Sequence, residues 1–219
     1  MQNLYERVTR DFDPTWTERY RELCESVLAV QDWTSSGGAP DELINRLIYE
    51  LRNGVASAGQ ALTGWPTTQR PNVGEYREML QHLKEGLNDR FPSDRVAECR
   101  QEFRVITNNR GAPSIFNRIV AAFLPGKVSP VMFEADFDDA CEKLVRGRYI
   151  NAVRPRVGED PWHSKNVQLM NQLRDLLPDG EPCGSQFPIN DYTRGIFVWG
   201  VHNLNMDDWM LIRAALNNG

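Results

Sequence analysis

Apolar positions recur at three- and four-residue intervals along most of this chain, the period of helices that bury one face. The clearest case begins at Asp41, where Leu43, Leu47 and Leu51 form one stripe and Ile44 and Ile48 lie beside it. Asn53 and Gly54 both tolerate a left-handed backbone and are expected to end that helix. A row of small residues follows (Ala56, Ser57, Ala58, Gly59 and Ala61), suited to the close approach of a second backbone or of a ligand. Before this stretch, Trp16, Tyr20, Leu23 and Val27 predict a helix over 15–30, joined to it by the SSGGAP linker at 35–40. After it, Tyr76, Met79, Leu80, Leu83 and Leu87 predict another. Ser93 is the expected cap of a helix bearing Val96, Cys99, Phe103 and Ile106, and Asn108 to Pro113 reads as a turn.

SIFNRIVAAFLP reads as a buried helix stopped at Pro125. Asp136 is the expected cap of a helix through Phe137, Ala140, Cys141 and Leu144. Asp160-Pro161 opens a helix with Leu169, Leu173 and Leu176 as its stripe. IFVWGV at 196–201 fits either a buried helix or a strand, and a last helix from about Asn205 carries Trp209, Ile212 and Leu216. The pattern predicts a mostly α fold: one irregular helical domain over 1–219, with residues 1–40 as a helical extension and room for a short strand pair.

Composition adds that 41% hydrophobic and 25% charged residues are ordinary for a globular chain, and no apolar run approaches membrane length. The polar, acidic start MQNLYERVTRDFD does not fit a signal peptide, so a cytoplasmic protein is expected. Cys24, Cys99, Cys141 and Cys183 are too scattered for a metal knuckle or redox pair, and are read as reduced.

Catalytic motifs are not recognisable. Pro125-Gly126-Lys127 is followed by Val128, and Ala121 stands where a phosphate loop needs its first glycine. His82, His163 and His202 lack zinc-ligand spacing. The acids Glu134, Asp136, Asp138, Asp139 and Glu142 are explained by the dipole at a helix start without invoking a metal ion. The expectation is a non-enzyme without cofactor or metal; a hydrolytic enzyme ranks last.

Charge is where the chain becomes informative. Net charge is −5, yet six arginines stand against three acids from Arg90 to Arg118, and four against none from Arg146 to Arg156. Arginine also greatly outnumbers lysine, and its planar fork suits phosphate and carboxylate. Arg146, Arg148, Arg154 and Arg156 surround Tyr149 in a segment without helical period, so phosphate-binding groups alternate with a ring able to stack on a base. Arg100 and Arg104, one turn apart, would extend that surface. Of the tryptophans, Trp16, Trp199 and Trp209 are assigned to the core. Trp65 and Trp162 lie at element boundaries, where clamping a loop is favoured over lining a base pocket.

Three stretches carry a family resemblance: RNGVASAGQALTGW at 52–65, FNRIVAAFLPGKVSPV at 116–131, and Trp162 with its helix together with DYTRGIFVWGVHNL at 191–204. Over about residues 41–204 the chain resembles the N-terminal region of McrB-like proteins, the AAA+ motor subunits of modification-dependent restriction systems. The resemblance implies a target-sensing module ahead of a GTP-driven motor, with a nuclease partner, and DNA as the target. It carries no catalytic residue onto this chain. The alternative from another class is a protein-interaction or oligomerisation module that uses the small-residue segment and has no nucleic-acid role.

Overall fold

The structure, a computed structural model, describes residues 1–57, 59–63, 65–87, 92–181, 187–205 and 207–210. Among the described residues the α-helices include α1 Gln2–Thr9, α2 Pro14–Ala29, α3 Ala39–Ile48, α4 Gly59–Thr63, α5 Arg77–Gly86, α6 Pro92–Ile106, α7 Pro113–Phe123, α8 Glu134–Arg146, α9 Pro161–Leu176 and α10 Asp191–Asn203. Short 3-10 turns lie at Thr67–Gln69 and Val73–Tyr76, and residues 207–210 are helical. Among the described residues there is no strand; three isolated bridges replace the expected strand pair. Cys183, Ile212 and Leu216 lie outside the described residues.

Two adjoining hydrophobic clusters form the interior. One draws on α2, α3, α5, α6 and α7, with Tyr20, Leu23, Ile44, Leu47, Leu80, Phe103, Phe116 and Ile119 buried. The other draws on α1, α8, α9 and α10, with Leu4, Phe137, Leu144, Leu169, Leu173 and Phe197. α10 divides them: Ile196 belongs to the first cluster, and Phe197, Val198 and Val201 to the second. A helix buried from two sides has no single apolar stripe, which is why IFVWGV reads ambiguously although it is helical.

The first cluster explains the Arg-Asn-Gly stretch. α3 stops at Ile48, one turn short of the predicted end, and Leu51 is exposed. The cause is Arg118 of α7, buried at 0% exposure. Its guanidinium donates to the carbonyls of Ile48 (2.9 Å), Glu50 (2.8 Å) and Ala56 (3.3 Å), taking up acceptors that a continuing helix would use internally. Burial pushes Arg118 down to about 10. Asn53, itself buried, donates to the Leu47 carbonyl and accepts from the Val55 amide. Gly54 has φ +99°, and a Cβ there would stand 2.6 Å from the Arg19 carbonyl of α2. At Gly54, just before the small-residue segment, two backbones come into close approach.

Two predicted caps differ. α6 begins at Pro92, so Ser93 lies inside it and its hydroxyl meets His163 Nδ1 at 3.1 Å. α8 begins at Glu134 with Phe133 as its N-cap, and Asp136 sits in the first turn. Asp160 caps α9 as expected, accepting the His163 amide at 2.9 Å.

His163 is 2% exposed, and burial pushes its imidazole down to about 4. Its folded value lies below its unfolded value of about 6.5, so the unfolded chain takes the proton first as pH falls. Stability present above pH ~6.5 is therefore lost down to pH ~4, by about 3 kcal/mol. Urea unfolding of wild type and His163→Gln at both pH values is expected to show that much less pH dependence in the variant.

Candidate nucleic-acid interface

α8 ends in an unusual way, and this sets the arginine-rich segment. The Arg148 amide donates to the Val145 carbonyl (2.9 Å) and the Tyr149 amide to that of Leu144 (3.0 Å), the paired bonds of a Schellman end. The left-handed position of that motif, usually glycine, is held by Arg148 at φ +62°. Gly147 is needed for space instead: a Cβ there would lie 2.6 Å from the Tyr149 ring and 2.9 Å from that of Trp209. Tyr149 is half-buried and packs edge-on against Trp209, with ring centroids 5.9 Å apart. It first anchors the segment, with its ring less free than the sequence pattern implies.

From Tyr149 the chain runs without regular structure along α9, held by that helix's side chains. Gln172 accepts the Asn151 amide (2.7 Å) and donates to the Asn151 carbonyl (3.2 Å). One turn earlier Gln168 does the same for Arg154, at 3.3 and 2.6 Å, and Ser164 Oγ accepts the Arg156 amide. Two glutamines at i and i+4 thus imitate the donor and acceptor row of a neighbouring strand. Pro155 keeps Arg154 extended, and Arg154 and Arg156 have Cα atoms no more than about 7 Å apart. Replacing both glutamines with alanine is expected to raise amide exchange at Asn151 and Arg154 at least about tenfold, each lost bond being worth about 1 kcal/mol. Hydrogen exchange read residue by residue checks it.

The candidate arginines separate into distinct groups. Arg148 and Arg154 are exposed and make no ion pair among the described residues. Arg156, with 72% of its side chain exposed, stands 3.6 Å from Glu159, and Arg146 pairs with Glu142 one turn back. Arg104 is exposed on α6 and bonds Gln101. Arg100 must be removed from this surface. Its side chain is 11% exposed, forked onto Asp160 (3.0 Å for one contact), bonded to Asn117 at 2.6 Å and lying 4.6 Å from the centre of the Phe116 ring. It ties α6, α7 and α9 together. An open cavity of about 440 Å³ beside the segment is lined by Arg148, Tyr149, Gln172, Asp175 and Leu176.

The acids of α8 are also in use: Glu134 and Asp138 bind Lys165, Asp139 binds Lys143 and His202, and Glu142 binds Arg146. Trp65 and Trp162 are buried and donate to the Gln69 and Val131 carbonyls, as loop clamps. Trp199, assigned to the core from sequence, is instead 38% exposed. Cys24, Cys99 and Cys141 are buried and free, and burial raises all three, Cys99 and Cys141 to about 12.

The class this defines is a helical domain with an arginine edge braced by a helix. Comparison with protein-family models, curated proteins and solved structures gives no match.

Proposed function

We propose that this chain is a non-catalytic nucleic-acid-contacting module that grips phosphates with Arg148, Arg154 and Arg156. The observation carrying this reading is that Arg148 and Arg154 lack an acidic partner among the described residues although the chain is acidic overall, while the backbone is held at Arg148 by the end of α8 and at Arg154 by α9. A held backbone loses less freedom on binding, and the guanidinium fork matches a phosphate. Arg104 and Arg146 are secondary contacts. The resemblance of residues 41–204 to McrB-like N-terminal regions favours DNA as the target, with a motor and a nuclease as partners in the same system.

The backbone of Arg148 supplies a test that ordinary surface arginines do not. A non-glycine residue in the left-handed region costs about 1 kcal/mol, so Arg148→Gly is expected to stabilise the fold by up to about that amount while weakening nucleic-acid binding. A higher midpoint of urea unfolding together with lower affinity is the expected pair. Higher stability with unchanged affinity would remove Arg148 from the interface. Salt provides the second reading: with three phosphates engaged, log K against log salt is expected to slope at about −2 on single strands and about −3 on duplex.

A further inference from the structure

We infer that a second cleft, formed by α2, residues 52–57, residues 130–133 and α10, binds a small ring-bearing anion of the nucleoside monophosphate class. Its volume of about 530 Å³ falls within the range of small-molecule sites. Val131, Met132 and Phe133 supply apolar lining. Trp16 and Trp199 stand edge-to-face along it, with centroids 4.8 Å apart and planes at 73°. The Trp16 indole donates to the Gly54 carbonyl at 2.7 Å, which fixes the ring. Trp199 packs against Phe12 and Trp16 in tilted, edge-type contacts, yet it lines the cleft and is left 38% exposed.

The groups in the cleft that would take an anion are its two arginines. Arg19 and Arg52 line it, both exposed, and neither makes an ion pair among the described residues. Two acids, Asp13 and Asp136, also line it. Asp13 accepts the amide and the hydroxyl of Thr15 as the cap of α2, and Asp136 lies 3.7 Å from His202 Nε2. Two arginine forks lining the same cleft as the partly exposed Trp199 indole would take a phosphate and a base, and Ser57 offers a polar contact. The site shares no residue with the arginine edge and stands whether or not that edge binds nucleic acid.

The test is calorimetric titration of the whole chain with AMP and with GMP at up to about 1 mM, the weak end of specific binding. Adenosine and inorganic phosphate serve as half-ligand controls. Saturable binding of a nucleotide, at least about tenfold weaker for adenosine and for phosphate alone, is expected. Arg19→Gln/Arg52→Gln and Trp199→Leu should each weaken it about tenfold or more with unchanged circular dichroism, whereas Arg148→Glu/Arg154→Glu should leave it intact. No saturable heat with either nucleotide overturns the inference. So does binding that the cleft variants do not alter.

Discussion

Asp160→Ala is expected to destabilise the protein by about 4 kcal/mol, because one carboxylate serves two structures at once. It neutralises Arg100, and stranding a buried charge costs about 3–5 kcal/mol. It also caps α9 through the His163 amide, a role worth about 1 kcal/mol. Asp160 is 2% exposed, so water cannot replace either contact. Asp160→Asn keeps one oxygen to cap α9 but removes the charge and sets an amide donor against Arg100 Nε, so it should spare only the capping share of about 1 kcal/mol. Adding Arg100→Met to Asp160→Ala should recover part of the loss, since no cation is then left unpaired. Chemical unfolding of the four proteins makes the comparison. A cost near 1 kcal/mol for Asp160→Ala would mean that Asp160 is a cap and little else.

Arg118→Met should cost about 3 kcal/mol. Charge-assisted bonds to three carbonyls are lost together, and those carbonyls sit where α3 has already ended. The offset is the desolvation that the arginine itself suffers, visible in its lowered pKa. Arg118→Lys should recover little, because a single ammonium cannot span acceptors that a planar fork reaches. Beyond a lower midpoint, the expected mark is local: proteolysis within residues 49–57 under native conditions, where wild type resists. Loss of stability without new cleavage there would contradict the clamp.

The two substitutions show how far the sequence could be read. Periodicity located α2, α5 and α9 by their apolar stripes, and an unbroken apolar run located α7; a proline opens α2, α7 and α9, and α2 and α9 add a capping acid. It misplaced the end of α3, because the signal ending that helix comes from Arg118, 70 residues from Ile48. It could not separate Arg100 from Arg148. Both are arginines in basic windows, and what distinguishes them is Asp160, 60 residues from Arg100 and without counterpart at Arg148. The same holds for Trp199: its place in an apolar run says core, yet α10 turns that one position toward an open cleft. Local spacing reveals faces, whereas pairing and exposure are decided by which faces meet.

Part of the arginine edge was legible. Four arginines without an acid, in a segment without helical period, marked it. The bracing by Gln168 and Gln172 was not, since glutamines on a helix carry no sign of what lies across from them. That bracing holds the backbone of the segment against α9, which spacing alone does not reveal.

The most direct measurement is fluorescence anisotropy of labelled duplex and single-stranded DNA, methylated and plain, titrated with wild type and with Arg148→Glu/Arg154→Glu at low and moderate salt. Salt-sensitive binding by wild type, reduced at least about tenfold in a variant that unfolds at the same midpoint, is the predicted result. No binding by wild type at low salt, or equal binding by the two proteins, would contradict the nucleic-acid role of this edge and favour a protein partner for the domain.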